Sequence, residues 1–343
     1  MKSKLLLSSA LISGLALAGS AVAETKISGN LDISLGSRSA DGGAASSSGF
    51  GSETQINIAN SGDLNNGMSY SAGFSLESDG ATDGFEGTYI NINLAEGSML
   101  HFGSDKFPAL DGTITPKVSV AADTMTGLGQ AGAGGDTTGL YRDGSRIDAV
   151  EHQGVGFLQD LAGLGNIGVY YTPNADTDGN DASNDSVNFN ETTNSATQIQ
   201  FKGNLGIDGL TVLLGQEKLD SAMLTTTETD QKARNLGIAY NFGQFSVGAS
   251  QIKNELNDGT ELETKEFGAT VAVNDNLSLG ISYHETEDSD AASTADEEIT
   301  MVQAGYNLGG VYMSVNYAQM ENRNGLAANG DDDFASLRLG TKF

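Results

Sequence analysis

The chain contains no cysteine. Disulfides are excluded, so a fold outside the cytoplasm has only its backbone ladder and its packing to hold it together. Proline is nearly absent, with Pro108, Pro116 and Pro173 the 3 in the chain. A residue that cannot donate to a strand ladder is avoided where most of the chain is strand. Beyond the first residues no run approaches about 18 consecutive apolar residues, which excludes a membrane-spanning helix. It does not exclude membrane strands, because a strand in a barrel shows lipid only one of its faces. Positive charge is also scarce. Lys and Arg number 17 against 45 Asp and Glu, a formal charge of −28. So acidic a chain excludes nucleic acid as a partner and gathers a cation atmosphere.

What is present begins with a leader. Lys2 and Lys4 precede an apolar run from Leu5 to about Ala18, and Ala21-Val22-Ala23 is a small-residue cleavage site. Residues 1–23 are therefore expected to be a cleaved export signal rather than an anchoring helix, with a single domain over 24–343. Loss of the two lysines takes the formal charge from −28 to −30. Glycine is plentiful, at 46, which suits tight turns and crowded barrel interiors.

Two-residue periodicity runs through the rest. Leu236, Ile238, Tyr240 and Phe242 alternate with Asn235, Gly237, Ala239 and Asn241. Leu277, Leu279, Ile281 and Tyr283 alternate with Ser278, Gly280 and Ser282. This is the strand period, and the second face reads as small and polar: Ser, Gly, Asn and Thr. About 16 such segments are expected, most of about ten residues, the length a tilted strand needs to cross a bilayer. They include 25–38, 97–107, 147–157 and 333–343.

Alternation alone fits a sandwich as well as a barrel. Three features favour an all-β, transmembrane antiparallel barrel. Connections alternate between short turns, such as 241–244, 274–276 and 308–310, and long polar loops, such as 174–195 and 286–298. Aromatics gather at strand ends, among them Phe107, Tyr170, Tyr171, Phe242, Phe245 and Tyr306, as interfacial girdles would. The chain also closes on an alternating strand ending in Phe343. A barrel of about 16 strands is too wide for side chains to fill and holds water.

Several segments resemble those of the Gram-negative general porins. Residues 60–68, Asn-Ser-Gly-Asp-Leu-Asn-Asn-Gly-Met, resemble the turn after their second strand. Residues 27–32 resemble their first strand, Leu339-Gly340-Thr341-Lys342-Phe343 their ending, and Gly134-Gly135-Asp136-Thr137 a motif of their third loop. The resemblance implies a homotrimer of 16-stranded barrels with short periplasmic turns, long extracellular loops and an inward-folded third loop over 108–146. It also implies an outer-membrane channel for passive diffusion of small hydrophilic solutes and ions, bordered by lipid and lipopolysaccharide. In such channels, acids on the third loop face a basic wall. Here Asp111, Asp123, Asp136 and Asp143 would supply the acids, with Lys117, Arg142 and Arg146 on the same loop. The wall departs from the family: Asn30, Gln55 and Ser104 stand where relatives carry basic residues. Lys106, Arg38, Lys202 and Arg338 could replace some of that charge. The expected preference is for cations.

Other classes are weaker. An enzyme would need a base, and only His101, His152 and His284 could be a histidine base, without any nucleophile motif beside them. No metal or other cofactor is expected. The run Asp176 to Asp181 starts like a calcium loop but puts Asp181 at the glycine position, leaving weak Ca²⁺ or Mg²⁺ binding by acidic loops as the most it offers. A substrate-selective channel, or a non-conducting barrel with an adhesive or structural role, is the alternative reading.

Overall fold

The computed structural model describes residues 23–40, 47–64, 67–78, 83–94, 97–104, 107–108, 147, 149–173, 194–220, 230–290, 293–327 and 331–343. Sixteen strands account for most of them. They are β1 (Glu24–Ala40), β2 (Ser47–Asp63), β3 (Ser69–Ser78), β4 (Asp83–Asn93), β5 (Ser98–Gly103), β6 (Gly154–Asp160), β7 (Gly165–Thr172) and β8 (Ser195–Gly203). The second half comprises β9 (Leu210–Asp220), β10 (Gln231–Phe242), β11 (Phe245–Glu255), β12 (Glu261–Ala272), β13 (Leu277–Asp288), β14 (Glu297–Asn307), β15 (Tyr312–Glu321) and β16 (Asp332–Lys342). Each pairs antiparallel with its sequence neighbours, and β1 pairs with β16, so the sheet closes into a barrel. Closure removes the free edges and satisfies the backbone within the sheet, as a membrane-spanning sheet requires.

The alternation sorts the side chains as the sequence predicts. Leu236, Ile238, Tyr240 and Phe242 are exposed on the outer wall, while Asn235 is buried on the inner side. Ile27, Leu31, Ile33 and Leu35 repeat the pattern on β1, as do Leu279 and Ile281 on β13. Leaving one such side chain in water instead of burying it forfeits about 1.5–3 kcal/mol, so a continuous outer belt of them is stable only against lipid.

At one end of the barrel the turns are short and built alike. The Asn241, Asn307 and Asn204 side chains accept the amides of Gly243, Gly309 and Gly206 at 3.1, 2.8 and 2.9 Å. Asn274 accepts from Asn276 and Leu277. An asparagine caps its own turn two residues on, and glycine at φ 85° and 100° (Gly243 and Gly309) takes the left-handed step. The other connections leave the strands at the opposite end.

Four expectations need correction. The strand expected over 97–107 ends at Gly103, whose φ of 134° turns the chain out of the ladder; a side chain there would overlap the Thr88 carbonyl oxygen. The strand expected to start at 147 starts at Gly154, and Ala149–Glu151 forms a 3₁₀ turn before it. Phe107 and Tyr170, expected in an outer girdle, are buried inside the barrel. The inner face is not small and polar throughout, either. Ile299, Met301, Ala318 and Met320 form a buried inward cluster with Phe334 beside it, because the register sets Ile299 against Met320 and Met301 against Ala318.

Candidate functional site

The polar face of every strand lines the lumen, and the described roots of the third loop pack against that inner face. Phe107 lies against Gly156 on β6 and Gly168 on β7, two strands that offer no side chain at those points. The carbonyl of Pro108 accepts hydrogen bonds from the side-chain amides of Gln198 (2.8 Å) and Gln200, both on β8. Within five residues of Gly103 the chain has therefore crossed the inner face from β5 to β8. Its returning end, Ile147, Ala149 and Val150, packs with Phe107, Tyr170, Ala196, Leu219 and Ala233 in one buried cluster. The Tyr170 hydroxyl spans both roots of the loop, reaching the carbonyl oxygens of Gly103 and of His152, the latter at 2.7 Å. His101 is buried beside them, its Nδ1 2.7 Å from Asn91 Oδ1 and its ring within 6 Å of Phe107 and Tyr170.

Of the wall residues singled out in the sequence, Asn30 and Gln55 face each other across β1 and β2. Ser104 is buried at the loop root, accepting from Gln153 at 3.3 Å. Lys202 is exposed at the short-turn end of β8. Arg38 stands at the opposite end of the barrel, where its guanidinium donates to Asp332 at 2.7 and 3.1 Å; Arg323 donates to the same carboxylate at 3.0 Å. Asp111, Lys117, Asp123, Asp136, Arg142, Asp143, Arg146 and Lys106 lie outside the described residues, as does the Asp176 to Asp181 run.

Arg338 is the residue whose surroundings the sequence did not disclose. It projects into the lumen from β16 and donates to Asp32 on β1 at 2.8 Å and to Glu53 on β2 at 3.2 Å. Tyr312 on β15 donates its hydroxyl to Asp32 as well. The register explains the meeting. Tyr312 pairs with Gly340, Gly340 with Asp32, and Asp32 with Glu53, a row across four strands. Gly340 leaves the gap through which Tyr312 and Asp32 touch; a Cβ there would collide with both. The row lines a polar cavity of about 570 Å³ at the short-turn end of the lumen, together with Asn30 and Lys342.

A second inward constellation also escaped the sequence reading. His284 Nε2 is 3.0 Å from Ser282 Oγ, and its Nδ1 is 3.2 Å from Glu266 Oε1. The connectivity is that of a hydrolase relay, yet all three side chains are buried in the wall, where no substrate carbonyl can meet the serine. Alternation marks these residues as inward and sets Ser282 beside His284 on β13, but only the register of β12 against β13 brings Glu266 to His284. Among the described residues, no group of three or more His, Asp or Glu is placed to hold a metal ion.

The family model of the Gram-negative porins matches residues 8–325. No curated protein sequence matches the chain. Solved structures share its fold. An anion-selective porin from Comamonas acidovorans is 16% identical with a TM-score of 0.65, the match covering 94% of this chain and 100% of that one. OmpF of Salmonella typhi, in a complex with daunomycin, is 14% identical with a TM-score of 0.65, over 93% and 97% of the two chains. The trimer form of OmpT from Vibrio cholerae is 10% identical with a TM-score of 0.60, over 94% and 99%.

Proposed function

The chain belongs to the Gram-negative porin family, outer-membrane barrels for passive diffusion that carry out no catalysis, and from that premise we propose that this member is a general diffusion channel preferring cations. The observation that carries the preference is the wall itself. Asn30 and Gln55, facing each other on β1 and β2, bring no positive charge, and Arg38 is spent on Asp332. A channel's narrowest ring sets its charge preference. With the basic wall this weak, acids on the third loop, Asp123 and Asp136 foremost, would govern entry, under a chain charge of −28. Residues 108–146 are proposed as the constriction, on the support of both loop roots packing against the inner face. Residues 1–23 are proposed as the cleaved signal.

Trimer assembly is proposed as well, by likeness to the OmpT structure described as a trimer form. Lipopolysaccharide is the proposed neighbour on the outer wall. Lys218, Lys232, Lys253 and Lys265, each within reach of a carboxylate, stand toward the long-loop ends of adjacent strands.

The test is the zero-current potential of the purified protein in a planar bilayer under a salt gradient. Large ohmic steps with a potential toward the cation side are expected. Asp123→Asn with Asp136→Asn should reduce that potential; an unchanged value removes these two residues from the constriction.

A further inference from the structure

The lumen of this barrel carries a charge constellation on β1, β2, β15 and β16, away from the described roots of the third loop on β6 to β8. At the short-turn end, one guanidinium meets two carboxylates: Arg338 with Asp32 and Glu53. Lys342 and Asp275 line the same cavity with one charge of each sign. Among the described residues that line it, these charges sum to one negative. The members of the row are not equally accessible. The side chains of Arg338 and Asp32 are 10% and 4% exposed, while that of Glu53 is 39% exposed. A passing ion meets the carboxylate first and the arginine only through its neutralising partners.

We propose that Asp32 and Glu53 are specificity-determining residues that convert the arginine of this wall from an anion attractor into part of a cation-favouring vestibule. The inference rests on the open-channel reading above and deepens it by naming a second filter, in series with the loop. The construction is deliberate at the level of residues. Asp32 is fixed from two sides, by Arg338 and by the Tyr312 hydroxyl, and Gly340 between them has no side chain to intervene. A carboxylate held from two sides stays beside the guanidinium and neutralises Arg338. The species favoured are small monovalent cations and amines that cross without shedding their water, since the cavity of about 570 Å³ is far larger than one ion.

The experiment compares the parent with E53Q and with D32N/E53Q, each purified as a heat-modifiable barrel and placed in a planar bilayer under a KCl gradient near 0.1 M. Each carboxylate acts on a passing ion through water-like surroundings, screened over a Debye length of about 10 Å at this salt. Removing both should lower the potassium-to-chloride permeability ratio about fivefold, and E53Q alone about twofold, with smaller shifts in about 1 M salt. Glu53 is the exposed member, so E53Q carries the test if the double variant does not assemble. Variants that fold, conduct and keep the parent's ratio overturn the assignment and leave the channel reading standing. A parent that does not conduct overturns both. A parent that prefers anions, with variants shifted further toward anions, supports this filter and removes the cation preference of the whole pore.

Discussion

At the residue scale the molecule depends on a few places where a side chain is missing. Gly103 turns β5 inward at a φ no other residue tolerates well, with the Thr88 carbonyl where a Cβ would go. Gly103→Ala should destabilise the barrel by about 2 kcal/mol or more, read as a lower temperature for the shift from folded to unfolded mobility on gels. Tyr170 gives a gentler probe of the same root. Tyr170→Phe keeps the ring in its cluster but leaves the carbonyls of Gly103 and His152 without their hydroxyl partner, at a cost of about 1–3 kcal/mol. Faster proteolysis within 108–146 in this variant, with the barrel intact, would report the loosened root. Gly340→Ala would press on Asp32 and Tyr312 together, and its expected readout is a changed permeability ratio, since it displaces the partners of Arg338.

Strands and turns form the next level, and here most of the sequence reading survives. The alternation of Leu236, Ile238, Tyr240 and Phe242 is a local signal, and it predicts an outward face that the barrel displays. The asparagine-capped turns are equally local, because the cap reaches only two residues. The errors fall where a strand meets the third loop. Phe107 and Tyr170 resemble girdle aromatics in sequence, yet each is drawn inward by a partner the local pattern does not show: Gly156 and Gly168 for one, the two loop-root carbonyls for the other. The seam between β1 and β16 is the element most open to test. Phe343 exchanges two backbone hydrogen bonds with Gly29, at 2.9 and 3.0 Å, and lays its ring over that glycine. Removing Phe343 forfeits both, about 2 kcal/mol in sum, and should lower the yield of folded barrel on refolding into detergent or lipid.

For the whole molecule, the outer wall and the lumen make opposite demands on the same strands. A charge on the outer belt must enter hydrocarbon. Ile238→Lys, at an exposed outward position of β10, should cost about 2–4 kcal/mol when the bilayer midplane is its destination, measured by reversible unfolding in lipid. The same substitution on the lumen side would be borne by water and appear in selectivity instead. The −28 formal charge belongs to this scale too, because its long-range field acts on ions at either mouth and weakens with salt.

What the sequence alone determined was whatever depends on near neighbours along the chain. The strand period, the short capped turns, the avoidance of proline and the expectation of a closed barrel all follow from contacts a few residues apart. Arg338 could be placed on the inward face by parity. Its partners could not, because Asp32 lies 306 positions away and Glu53 285, and only the closing of β16 onto β1 fixes which residues stand in one row. The contact of Glu266 with His284 in the wall and the crossing of the third-loop root to β8 have the same origin. Register is a property of pairs of strands, and a shift of one position would turn every one of these side chains to the opposite face. The charge preference proposed for this channel depends on such rows, which only the tertiary structure assembles.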